Sequence, residues 1–253
     1  MSDYEVALVT GASAGIGEAY VRQLAPVCDR IVMVARREER LRDLARELAG
    51  ECAVDVLVAD LASVEGQGRV VEAIRQLPVL DLLVNNAGFS TLGPFADSLL
   101  DDELQMLRVH NDATLALSRA ALPGMRERER GAIINVSSIG AGLAMPGVAV
   151  YGASKAFLLS FSRSLQLELK GSPLRVQCLC PGYTRTEIHS RETFREFDVE
   201  RVPEELWMES DAVVAESLAA LDSRESSWLL VPGAHNRKLM RTALDELRGL
   251  LAD

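Results

Sequence analysis

The feature that most constrains this chain is a regular alternation of short, continuously apolar runs with helical patterns. The runs fall at residues 6–9, 31–34, 54–59, 80–84, 132–136, 175–180 and 228–231. A strand that is apolar at consecutive positions is covered on both faces, as in a parallel sheet. Between the runs, apolar residues recur at helical spacing over 16–24, 38–48, 64–77, 101–127, 150–169, 204–221 and 236–250. Parallel strands joined through helices cross over right-handedly and place helices on both faces. The order therefore predicts an α/β fold: a doubly wound, seven-stranded parallel sheet in three α/β/α layers.

At 253 residues, 48% hydrophobic and 25% charged, the chain can bury an ordinary core without a disulfide or metal staple. A single domain over residues 1–253 is expected. The formal net charge is −10. An acidic chain repels phosphate backbones and anionic bilayers, so neither nucleic acid nor a membrane is an expected partner. No apolar run approaches the roughly 18 residues of a bilayer span. Cys28, Cys52, Cys178 and Cys180 form no C-x-x-C pair, and no secretory leader pattern precedes Tyr4. They read as free thiols of a cytoplasmic protein. Cys178 and Cys180 flank Leu179 and so face one side of a strand. His189 and His235 lack metal-ligand spacing, and no metal is expected.

One stretch is irregular. Residues 183–203 are polar and charged yet carry Phe194 and Phe197, with Trp207 just beyond. A loop this long in a compact domain is usually functional. It is read as a substrate lid around residues 183–210.

The first run ends in Thr10 and leads through Gly11, Ser13, Gly15, Ile16 and Gly17 into a helix. Glycines here let backbone approach a pyrophosphate, and the helix start offers free N–H groups and positive potential to it. The site expected is a Rossmann-type dinucleotide crevice.

The glycine spacing is G-x-x-x-G-x-G, and on this point the chain resembles the short-chain dehydrogenase/reductase family. The family's T-G-x-x-x-G-x-G stands at residues 10–17 and its N-N-A-G at Asn85, Asn86, Ala87 and Gly88. Its Y-x-x-x-K stands at Tyr151 and Lys155, and its P-G turn at Pro181 and Gly182. The resemblance runs over residues 6–186 and fades in the lid and C-terminal part. It implies an oxidoreductase moving hydride between a nicotinamide cofactor and a carbonyl or secondary alcohol. It places Asn86, Ala87 and Gly88 on the adenosine side, the Asp60 carboxylate and Leu61 backbone at adenine, and Ile16 against the nicotinamide. Thr184 and Thr186, beyond Pro181 and Gly182, resemble the residues that meet the carboxamide. Asn85 reads as a tie between strands, since buried amides need partners.

The second strand ends in Arg36 and Arg37, with no acidic residue of the kind NAD-preferring enzymes place at the ribose 2′-hydroxyl. Two guanidinium forks suit a 2′-phosphate. NADP(H) is expected rather than NAD, although Ala14 stands where some NADP-binding relatives carry a further basic residue.

Tyr151 and Lys155, four apart, share one helix face. A free phenol titrates at roughly 10; a nearby ammonium favours phenolate and lowers that value. The chain has only three lysines, and this one sits amid apolar neighbours, so the pair reads as catalytic and as cofactor-binding. The fifth run ends in Ser137 and Ser138. The family spacing selects Ser138 to hold the substrate oxygen and leaves Ser137 a structural role. The resemblance adds Asn111, whose main chain holds a water that contacts the lysine; His110 beside it reads as an ordinary helix residue. The catalytic set is Asn111, Ser138, Tyr151 and Lys155.

The small apolar run at 139–148, with Phe194 and Phe197, points to a mostly apolar ketone reduced by NADPH. Acyl chains on carrier proteins fit less well, because those carriers are acidic like this chain. Two other functions stay open: a non-catalytic NADP-binding regulator, against which the intact catalytic set argues, and an epimerase or dehydratase of longer relatives, against which the glycine spacing argues. By resemblance, the helices over 101–127 and 150–169 pair across a two-fold axis in a homodimer or homotetramer.

Overall fold

The computed structural model describes residues 4–187, 202–223 and 227–249. Nine strands occur among them: β1 (Tyr4–Thr10), β2 (Cys28–Ala35), β3 (Ala53–Val58), β4 (Leu82–Asn85), β5 (Ala132–Val136), β6 (Arg175–Leu179), β7 (Thr184–Arg185), β8 (Met208–Glu209) and β9 (Leu229–Leu230). Seven form one parallel sheet in the order β3-β2-β1-β4-β5-β6-β9, while β7 and β8 pair separately. The helices are α1 (Gly15–Leu24), α2 (Glu38–Glu47), α3 (Val64–Gln76), α4 (Leu100–Leu107), α5 (Ala113–Glu127), α6 (Ala149–Glu168), α7 (Ser210–Asp222) and α8 (Ala234–Gly249).

The continuous apolar runs have the expected cause. Successive strand residues face opposite sides, and both sides are buried. Ala7 and Val9 of β1 pack with Tyr20 and Leu24 of α1, Leu41 of α2 and Val213 of α7. Val6 and Leu8 pack with Val70 and Ile74 of α3, Leu117 of α5 and Leu165 of α6 on the other side. The result is the three-layer, doubly wound Rossmann-type architecture. Strand order reverses between β1 and β4, and a ligand crevice opens at the carboxyl ends of strands flanking such a reversal. Asn85 ties β4 to its surroundings, donating to Asn135 Oδ1 of β5 at 2.9 Å and to Ser118 Oγ of α5 at 3.1 Å.

Three segments depart from the periodic reading. The helix expected over 101–127 is broken into α4 and α5 by one π-helical turn, Arg108–Asp112. That extra residue rotates both His110 and Asn111 into the interior, where both are buried. Residues 204–209 open with a 3-10 turn, Glu204–Leu206, and strand β8 before the helix begins. The expected lid is anchored at its two ends, because Thr184 and Arg185 pair with Met208 and Glu209. Its central part, with His189, Phe194 and Phe197, lies outside the described residues. Among the described residues, no helix is long and apolar enough to cross a membrane.

Candidate active site

A cleft of about 560 Å³ runs along the carboxyl edge of the sheet, within the usual size of small-molecule sites. Its near wall is the turn between β1 and α1. Gly11 and Gly15 both adopt left-handed backbone, φ 68° and 56°, which side chains beyond glycine rarely tolerate. A Cβ on Gly11 would lie 2.7 Å from Asn86 Nδ2, and one on Gly15 would lie 2.9 Å from Thr186 Cγ2. Helix α1 begins at Gly15 with no side-chain cap on its N-terminal N–H groups. Bare N–H groups behind a turn cleared of side chains fit a pyrophosphate. Gly17 does not line the cleft; a Cβ there would overlap Gly11 O, so the residue permits the turn to fold on itself.

One end of the cleft carries Arg36, Arg37, Asp60 and Leu61. The two arginines are not equivalent. Arg37 donates from Nε to Ser13 Oγ at 3.1 Å and from its terminal nitrogens to Ser13 O at 3.2 Å and Glu187 at 2.6 Å. Arg40 also pairs with Glu187, and the two guanidiniums hold that carboxyl below its ordinary range despite partial burial. Arg36 is exposed and makes no such bonds among the described residues. Asp60 Oδ1 accepts from Ala62 N at 3.0 Å, while Ser63 caps α3 by accepting from Gly66 N at 2.9 Å. Asn86 donates to Thr10 O at 2.8 Å and lines the cleft with Ala87 and Gly88.

The other end brings Ser138 and Tyr151 together above Lys155. Ser138 follows β5, and its hydroxyl accepts from Gly140 N at 3.0 Å. Half-buried Tyr151 lies in the first turn of α6. Burial pushes its phenol above the ordinary value, opposite to the lowering expected from the Lys155 ammonium, and the hydrogen bond with Ser138 pulls it back. Lys155 is buried one turn on; its Nζ donates to Val136 O at 3.0 Å and lies 5.6 Å from the Tyr151 ring centre. Desolvation lowers its ammonium to about 8. Ser137 donates to Lys155 O at 2.7 Å, fixing the helix against β5. Pro181, Gly182, Thr184, Thr186 and Ile16 also line the cleft.

Asn111 stands behind this cluster rather than in the cleft wall. Its Nδ2 lies 3.5 Å from Ser154 O, and its buried Oδ1 has no donor among the described residues. His110 does reach the wall, which helical periodicity could not indicate. Its Nε2 accepts from Phe89 N at 3.2 Å, and Nδ1 is 2.8 Å from Ser154 Oγ, which itself donates to Tyr151 O at 2.7 Å. One tautomer satisfies all three bonds, with the proton on Nδ1. Burial, with Lys155 nearby, holds this imidazole well below its ordinary pKa. Phe89, Ser90, Leu92 and Leu239 also line the cleft without having been marked by any local pattern, and Tyr183 and Glu187 line it from the start of the stretch read as a lid.

A crevice of this kind places the protein among the dinucleotide-binding α/β enzymes. The family model described as short chain dehydrogenase matches residues 5–196, and the chain belongs to that family of oxidoreductases. The NADP-dependent 3-hydroxy acid dehydrogenase YdfG of Salmonella typhi is 39% identical over 182 residues, covering 70% of this chain and 71% of that one. A solved short-chain dehydrogenase from Sphingobium yanoikuyae in complex with NADPH is 33% identical, with TM-score 0.86 over 98% of this chain and 96% of that one. The bulky-bulky ketone specific alcohol dehydrogenase of Comamonas testosteroni is 29% identical, with TM-score 0.82 over 98% and 94%.

Proposed function

We propose that the protein is an NADPH-dependent reductase that converts a ketone to a secondary alcohol, with Tyr151 as the proton donor. The observation that carries this reading is the convergence of Ser138, Tyr151 and Lys155 at one end of a cleft whose other end presents Arg36 and Arg37. Arg36 serves the 2′-phosphate, and Arg37, braced on Ser13, shapes its seat. The NADP-dependent relative and the NADPH-bound neighbour support the same choice over NAD. Asp60 and Asn86 flank the adenosine, and Thr184 and Thr186 orient the carboxamide.

When bound, NADPH supplies the hydride. The hydroxyls of Ser138 and Tyr151 hold the carbonyl oxygen, positioned in advance of the reaction. A phenol raised by burial keeps its proton at neutral pH, as a donor in the reducing direction must. As charge develops on oxygen, Tyr151 delivers that proton. Lys155, cationic at neutral pH, stabilises the phenolate that remains. Asn111, at the widened turn, supports return of a proton through Lys155. We place the enzyme in the cytoplasm, where the neighbouring thiols of Cys178 and Cys180, 3.8 Å apart, stay reduced. It assembles as a homodimer or homotetramer through the outer faces of α5 and α6, where Leu115 and Phe157 are exposed.

The test is a spectrophotometric ketone panel run with NADPH and NADH in parallel. Turnover with NADPH, at a higher kcat/KM than with NADH, is expected. NADPH binding without turnover of any ketone would favour a regulator instead.

A further inference from the structure

We infer that the site selects uncharged ketones and rejects those that carry a carboxylate near the reacting carbonyl. This rests on the reductase reading above and adds the charge class of its substrate. Three cations line the cleft among the described residues: Arg36, Arg37 and Lys155. The two arginines lie at the far end, beside Ser13 and Glu187. Lys155 is 5% exposed, bonded to Val136 O, and covered by the Tyr151 ring and Gly88. A carboxylate that reached it would displace the carbonyl from Tyr151. His110 offers no charge or free donor either, because both ring nitrogens are engaged.

Among the described residues, the wall beyond Tyr151 is hydrocarbon. Leu92 follows β4, Ile139, Leu143, Met145 and Val148 lie between β5 and α6, and Leu239 reaches in from α8. Ser90 is buried, with its hydroxyl donated to Thr91 O at 2.8 Å. Glu187, at the opposite end, is itself an anion. A carboxylate two to five bonds from the carbonyl would exchange its hydration for methyl and methylene groups, which is costly without a paired cation. An uncharged chain or ring gains from the same surfaces. Met145, 39% exposed at this wall, has the unbranched, adaptable side chain that accommodates varied apolar shapes.

The experiment measures kcat/KM with NADPH at pH 7 for two matched series. One is methyl 4-acetylbenzoate, 4-acetylbenzamide and 4-acetylbenzoate; the other is methyl 5-oxohexanoate, its amide and its acid. The acids are expected to fall at least ~100-fold below the esters, while the amides, polar but uncharged, stay within ~10-fold of them. Acids turned over comparably with the esters would overturn the inference. So would amides as poor as the acids, since polarity or size would then govern. If no uncharged member of either series is reduced with NADPH, the reductase reading itself fails.

Discussion

Replacing His110 by leucine removes the link between the Gly88–Phe89 backbone and the first turns of α6 without opening a large cavity. In the structure the imidazole accepts from Phe89 N and donates to Ser154, and Ser154 in turn donates to Tyr151 O. Leucine leaves the Phe89 N–H without its acceptor, at a cost of about 1–3 kcal/mol, and removes one bond to Ser154, worth about 1 kcal/mol. The sum, about 2–4 kcal/mol, corresponds to a fall in Tm of roughly 5–15 °C for a chain of this size. Glutamine can both accept and donate, so His110→Gln should recover about half of that loss. Loosening Tyr151 should also lower kcat by roughly tenfold in the leucine variant. A pH series adds a second readout. The folded imidazole stays neutral well below 6.5, while the unfolded chain takes up a proton there. The unfolded state then binds more protons, so the parent loses up to about 1.4 kcal/mol per pH unit below that value, and His110→Gln does not. Thermal unfolding followed by circular dichroism from pH 5 to 8 reads both effects. A leucine variant as stable as the parent, or parallel pH curves for parent and glutamine variant, would refute the reasoning.

Two further outcomes are expected. Lys155 is depressed from 10.5 to about 8, so its ammonium is present below pH 8 and lost above it. The kcat/KM for ketone reduction should fall along an alkaline limb with an apparent pKa near 8, measured as a pH–rate profile; activity flat to pH 10 would contradict the role given to this cation. Arg36→Ala should raise the KM for NADPH by ~10–100-fold and leave the KM for NADH nearly unchanged, because only the 2′-phosphate loses a partner. Equal changes with both cofactors in parallel steady-state assays would contradict that assignment.

The layers of the fold were legible because each strand is apolar at consecutive positions, and that pattern survives only where both faces are covered. The glycine turn was legible for a similar reason: Gly11 and Gly15 need left-handed backbone, which leaves a mark on residue type. The interruption at Arg108–Asp112 was not legible. A single π turn shifts the helical phase by one residue, and the apolar spacing on either side still reads as one helix. In the sequence His110 therefore reads as an ordinary helix residue, although it is one of the most deeply buried polar groups beside the cleft. Strands β7 and β8 have two residues each, too few to show a period. The pairing of Arg37 with Glu187 and the contribution of Leu239 join segments far apart in the chain, which no local pattern records.

The central claim is that a phenol at the carboxyl edge of the sheet gives up the proton in ketone reduction. Tyr151→Phe tests it most directly, because it removes one oxygen and keeps the ring that packs against His110 and Lys155. The variant should bind NADPH with a Kd within about threefold of the parent and lose ~10³-fold or more in kcat/KM. Turnover close to that of the parent, with the cofactor bound, would contradict the account.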